Sequence, residues 1–149
     1  MTTVHRRFLA VVTFASAMLL ASPGGAADVV HVDVGGATEL LDANDEIVVL
    51  DVRTPGEFEA IRIDRARNID IDGENFRKNV ASLDREEAYL VHCAAGVPGG
   101  RSERAVEVMR ELGFTQVHHL DGGINAWKAS GERVVGTAVN ENPNSPAGK

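Results

Sequence analysis

The stretch Ala88–Leu112, AYLVHCAAGVPGGRSERAVEVMREL, carries three readings in a row. Ala88–His92 is a short apolar run of strand length, bounded by a loop signal. Gly96, Pro98, Gly99 and Gly100 punctuate the loop. Arg101–Leu112 sets Ala105, Val108, Met109 and Leu112 on one helical face, with Gly113 as a stop. Strand, tight loop and helix in that order form the repeating unit of a parallel α/β sheet.

The same unit recurs on either side. Val29–Val34 is β-branched and leads through Gly35-Gly36 into a predicted short helix, Ala37–Ala43. Ile47–Val52, IVVLDV, is a nearly continuous apolar run, the pattern of a strand covered on both faces. Thr54-Pro55-Gly56-Glu57 then reads as a helix start, with Thr54 as N-cap, Pro55 at the first position and Glu57 three residues after the cap. Ala66–Ile71 predicts a strand, and Glu74–Leu83 a helix with Phe76, Val80 and Leu83 on one face. Gln116–Leu120 predicts a last strand, and Ile124–Ala129 a helix ended by Ser130-Gly131. From Gly136 the composition turns polar, and residues 136–149 are expected to form a disordered tail. Phe58 and Trp127 are expected in the core.

The first residues bear on location. His5-Arg6-Arg7 precedes an uncharged apolar stretch, Phe8–Ala21, and small residues up to Ala27 offer a cleavage site before Asp28. This order predicts a signal peptide over residues 1–27, export to a bacterial periplasm, and one domain over residues 28–135. The whole chain of 149 residues carries a net charge of −7. The predicted leader holds two of the basic residues and none of the acidic ones, so residues 28–149 are more acidic still. That charge argues against nucleic acid and against an anionic membrane surface as partners. No stretch after the leader is apolar and long enough to be a membrane helix.

A single cysteine, Cys93, excludes an internal disulfide and leaves a buried inert thiol, an intermolecular bridge or a reactive thiol. Its neighbourhood favours the last. In parallel sheets ligands gather beyond the carboxyl ends of the strands, where Cys93 lies. Glycines in the loop allow successive N–H groups to turn around one point, and the start of the following helix adds free donors and the positive end of its dipole. Such a cup favours an anion: a thiolate, a persulfide or a bound oxyanion. Arg101 adds a positive charge, and Ser102 either caps the helix or points its hydroxyl into the cup. A nucleotide phosphate loop is a poor alternative, because the Gly-Lys-Ser/Thr ending is missing. His92 precedes the thiol, but adjacent strand residues diverge, so it is expected in the core or behind the site rather than as a base for Cys93. For His118-His119 one ring is expected inward and one outward; no ligand set for a metal accompanies them in the sequence, and no cofactor is expected.

Four segments together resemble a single-domain rhodanese, a sulfurtransferase family: VLDVRTPGEFE (Val49–Glu59), ARNIDI (Ala66–Ile71), YLVHC with a following Gly and RSERA (Tyr89–Ala105), and LGFTQVHHLDGGINAWKASG (Leu112–Gly131). The resemblance implies a rhodanese-like α/β fold, with a five-stranded parallel sheet and helices on both faces. It implies transfer of sulfane sulfur from a donor such as thiosulfate, through a persulfide on Cys93, to cyanide, a small thiol or a thiol protein. Ala94, Ala95, Gly96, Val97, Pro98, Gly99 and Gly100 would bind substrate through backbone donors, with Arg101 and Ser102 ordering the loop and binding the anion. Asp51 and Arg53 would be structural, with Arg53 paired to a carboxylate such as Glu57, and Asp121-Gly122-Gly123 would shape the neighbouring loop. Two features depart from the family pattern. Arg101 stands eight positions after Cys93, three more than is usual, and IRIDRA (Ile61–Ala66) replaces the usual Gly-His-Ile-Pro-Gly-Ala. A sulfur carrier or partner-binding module is the main alternative; a phosphatase or arsenate reductase on the same fold ranks lower, since the spacing overshoots theirs too and the loop lacks an acid.

Overall fold

A computed structural model describes residues 29–140. The expected leader lies outside the described residues, as does the part of the expected tail after residue 140. Seven strands and six helices follow in the order β1 (Val30–Val32), α1 (Val34–Ala43), β2 (Val48–Asp51), α2 (Pro55–Ala60), β3 (Arg62–Ile63), β4 (Arg67–Asn68), α3 (Phe76–Ala81), β5 (Ala88–His92), α4 (Arg101–Glu111), β6 (Gln116–Leu120), α5 (Gly123–Ala129), β7 (Val134–Val135) and α6 (Thr137–Asn140). Five strands form one parallel sheet in the order β1-β6-β5-β2-β4. The expected five-stranded α/β sheet is therefore present, and β5 and β6 keep the bounds predicted for them.

Strand alternation divides the core into two layers. Leu50 and Val52 of the β2 segment, Tyr89 and Val91 of β5, Cys93 just beyond it, and Val117 of β6 pack with Phe76, Val80, Ala105, Val106 and Met109 of α3 and α4. On the opposite face, Val49, Leu90 and Leu120 meet Ala37 of α1 and Ile124 and Trp127 of α5. The central strands β5 and β2 are covered on both faces, which is why their sequences are apolar without alternation.

Local signals explain several element ends. The Thr54 hydroxyl accepts the Glu57 N–H, and the Glu57 carboxylate accepts the Thr54 N–H, completing the capping box read from the sequence. Helix α1 starts earlier than expected, at Val34, because Asp33 caps it by accepting the Gly36 N–H at 2.8 Å; Gly35 and Gly36 are its first turn and not a linker.

Other expectations are corrected. Strands β3 and β7 pair antiparallel as a separate two-stranded ribbon, Arg62 opposite Val135 and Ile63 opposite Val134. Two-residue strands carry no periodicity to read, so only the pairing reveals them. Ile61–Ala66, the segment that departs from the family pattern, thus supplies one side of this ribbon. Past residue 135, Gly136 turns the chain at φ 145° against the Ala60 backbone, and α6 follows. Phe58 is only half-buried, with the Arg62 guanidinium 5.0 Å above its ring, whereas Trp127 lies in the core as expected.

Candidate active site

Cys93 follows β5 directly and continues the face of Tyr89 and Val91, so its sulfur lies beneath the start of α4. It is 4% exposed. The Gly96 N–H donates to Sγ at 3.4 Å, and the Ser102 hydroxyl lies 3.2 Å from it. Burial pushes the Cys93 thiol up. Hydrogen bonds from the Ser102 hydroxyl and from the N–H groups of Gly96, Ser102 and Ala95 outweigh it and hold the thiol below its ordinary range. Ser102 therefore points its hydroxyl into the cup, and α4 has no side-chain cap.

The loop is seated on the turn into α5. Ile124 donates to the Cys93 carbonyl and Asn125 to the Ala94 carbonyl, each at 3.0 Å. Gly96 has φ 51°, and a Cβ there would stand 2.7 Å from the Gly123 nitrogen and 2.8 Å from that of Gly122. Only glycine permits this approach. Gly123 in turn lies against the Cys93 and Ala94 carbonyls, so the Asp121-Gly122-Gly123 segment does shape the loop.

The expected donor set divides in two. Gly96 turns its N–H toward the sulfur, whereas the extra length turns away from it. Gly100 donates to the Val97 carbonyl at 2.9 Å, Gly99 donates to the Glu103 carboxylate, and Pro98 has no N–H to give. Val97, Pro98 and Gly99 are exposed. The three-residue excess is thus absorbed by an outward turn, and the cup is closed by Ser102 instead. The Arg53 pairing is also corrected. Arg53 binds Asp51 at 2.6 Å and the Ile61 carbonyl at 2.6 Å, while Glu57 pairs bidentately with Arg101 at 2.7 and 2.9 Å. Arg101 orders the loop by tying α4 to α2, and its guanidinium is held by Glu57.

The histidines behave as alternation requires. His92 lies on the face away from Cys93, fully buried, with Nδ1 3.2 Å from the Cys93 carbonyl and Nε2 3.7 Å from Asp51. Burial lowers its basicity despite the Asp51 charge. His118 turns to the same side as His92 and Leu120 and is half-buried rather than outward, its Nδ1 without a partner among the described residues. His119 turns to the Cys93 side, 2% exposed, with Nε2 2.8 Å from the Ser102 hydroxyl and Nδ1 2.9 Å from Asp121. Asp121 also receives His31 Nδ1 at 2.9 Å. Sequence reasoning missed this group. His31, His119 and Asp121 do converge, because β1 lies beside β6 with His31 directly opposite His119. The alternation in QVHHL would have placed His119 on the Cys93 face, but only once the strand order was known.

The sequence matches the family described as Rhodanese-like domain over residues 35–130. The chain belongs to the rhodanese family. Among curated relatives, the thiosulfate sulfurtransferase GlpE of Shewanella oneidensis is 29% identical over 65% of this chain and 90% of its own length. The probable adenylyltransferase/sulfurtransferase MoeZ of Mycobacterium tuberculosis is 33% identical over 58% of this chain, which spans only 21% of that protein. A rhodanese-related protein from Thermoplasma volcanium, at 32% identity, superposes with a TM-score of 0.61 over 71% of this chain and 97% of its own. This rhodanese domain is accordingly related to sulfurtransferases at the level of family and fold.

Proposed function

We propose that this rhodanese domain transfers sulfane sulfur from thiosulfate or a similar donor through a persulfide on Cys93. One observation carries the reading: the recessed sulfur receives converging donors from the Gly96 N–H and the Ser102 hydroxyl at the carboxyl end of β5. The Cys93 thiolate attacks the outer sulfur of thiosulfate; an S–S bond forms to Cys93 as the bond to the sulfonate sulfur breaks, and sulfite leaves with the electron pair. Cyanide or a thiolate then attacks the outer persulfide sulfur, restoring the Cys93 thiolate and releasing thiocyanate or a new persulfide. The negative charge stays within reach of the same donors throughout, which is the stabilisation such a displacement requires. A phosphatase reading fits less well, because the guanidinium that would wrap a phosphate is bound by Glu57.

Mass spectrometry after brief exposure to thiosulfate tests the proposal. One added sulfur on Cys93 is expected in the native chain and none in Cys93→Ser. An unmodified native chain, or equal sulfur transfer by both, defeats it.

A sulfur-carrier role is the second reading: Val97, 52% exposed, stands on the outward turn beside the site, where a partner protein receiving the sulfur would meet an apolar side chain. Single loading without repeated turnover to cyanide is the result expected of a carrier.

A further inference from the structure

We propose that His119 is the positioning base that takes the Cys93 proton through the Ser102 hydroxyl, with Asp121 fixing the ring that receives it. The proposal rests on the reading of Cys93 as a nucleophile and names how that nucleophile is formed. A continuous chain runs from the sulfur to the surface: Cys93 Sγ to Ser102 Oγ at 3.2 Å, Oγ to His119 Nε2 at 2.8 Å, His119 Nδ1 to Asp121 at 2.9 Å, and Asp121 to His31 at 2.9 Å. Ser102 is fully buried and His119 nearly so.

Proton counting decides what this chain does. Partial burial pushes the Asp121 carboxyl up, but the hydrogen bonds from His31 and His119 outweigh it and hold it below its usual range, so it is an acceptor only. His119 Nδ1 must then carry a proton. Ser102 has one hydroxyl proton for two neighbours, which leaves two consistent states. In the first, the Cys93 thiol donates to Oγ, the Ser102 hydroxyl donates to Nε2, and the His119 ring is neutral. In the second, Nε2–H donates to Oγ, the Ser102 hydroxyl donates to a Cys93 thiolate, and the ring is an imidazolium. The first becomes the second when the S–H proton moves to Oγ as the O–H proton moves to Nε2. No charge enters or leaves, and no co-reactant is needed. The chain thus converts the thiol into a thiolate beneath the N–H cup and places the balancing positive charge behind Ser102, where it does not block the incoming donor.

The charged and titratable groups facing the ring are Cys93 through Ser102, Asp121 at the end of β6, and His31 from β1, whose ring centroid is 4.8 Å away. On the α4 side, Arg101 is engaged by Glu57. His31 is half exposed and acts on His119 only through the shared carboxylate and ring contact.

Alkylation of Cys93 by iodoacetamide as a function of pH tests this without any sulfur transfer, so its outcome is separable from that of the sulfurtransferase proposal. In the native chain the rate should rise at a pH below the ordinary thiol range. His119→Gln, which keeps an amide beside Ser102 but cannot take up a proton, should move that rise upward by about one pH unit or more, a roughly tenfold slower reaction at neutral pH. Asp121→Asn, at a half-exposed position that folding tolerates better, should shift it in the same direction. His31→Ala should shift it by less than half as much. Profiles for His119→Gln and Asp121→Asn that overlay the native one overturn the proposal. So does a His31→Ala shift as large as that of His119→Gln. A native profile that moves on treatment with a chelator also overturns it, since a bound cation rather than a proton would then hold the three groups together.

Discussion

Arg53 and Asp51 bury a full pair of charges between β2 and α2, 3% and 0% exposed. The pair is bidentate, and Arg53 also satisfies the Ile61 carbonyl while the Asp51 carboxylate accepts the Arg53 N–H. Such a pair adds little over apolar packing, but removing one partner strands the other charge in the core. Arg53→Ala should therefore cost about 3–5 kcal/mol in urea unfolding. Asp51→Ala combined with it should recover part of that loss. Equal stability of the single variant and the native chain would show that water reaches the pair. At this scale the sequence was informative but incomplete. It marked Asp51 and Arg53 as structural, yet assigned Arg53 the wrong carboxylate. Glu57 lies four residues away along the chain, but its side chain is drawn to Arg101 of α4, a contact 44 residues distant.

Among the elements, the loop between β5 and α4 shows why glycines of equal sequence weight differ in function. Gly96 and Gly99 both have positive φ, 51° and 71°. A side chain at Gly96 would run into the Leu120, Gly122 and Gly123 backbone, whereas one at Gly99 meets nothing within 4 Å. Gly99→Ala should cost only the conformational penalty of the left-handed region, about 1–2 kcal/mol. Gly96→Ala should cost clearly more, and it should slow alkylation of Cys93 because the Gly96 N–H leaves the sulfur. Comparable losses in both variants would argue that backbone conformation alone, not contact with the α5 turn, sets the loop. The loop's excess length was legible in the spacing of Cys93 and Arg101. Its outward course was not, because Gly99 and Gly100 find partners in Glu103 and Val97 rather than in the sulfur.

Across the whole molecule, two histidines tie stability to pH. His92 and His118 are both harder to protonate in the folded chain than in the unfolded one, His92 chiefly through complete burial. Unfolding therefore takes up protons below the ordinary histidine value of 6.5, and stability should fall as the pH drops through and below that value. Glu57 adds a second loss further down. Its hydrogen bond to Arg101 holds it at about 2 against an ordinary 4.5, so its contribution is present above 4.5 and disappears as the pH falls toward about 2. Urea midpoints measured across this range should decline in those two windows; a midpoint that stays level through the histidine range would contradict the burial of His92 and His118.

Periodicity, caps and apolar runs determined by themselves the class of fold, the bounds of β5 and β6, the capping box of α2, and Cys93 at a strand end before a glycine loop. These are local properties, written in neighbouring residues. Tertiary structure alone decided that β1 lies beside β6, which brings His31 to His119, and that α4 lies over Cys93, which brings Ser102 between thiol and ring. It also closed the β3–β7 ribbon and sent the added loop residues outward. The reason is physical: a hydrogen-bond chain from Cys93 to His31 depends on strand order and on which face each side chain takes, and neither is encoded within any one segment.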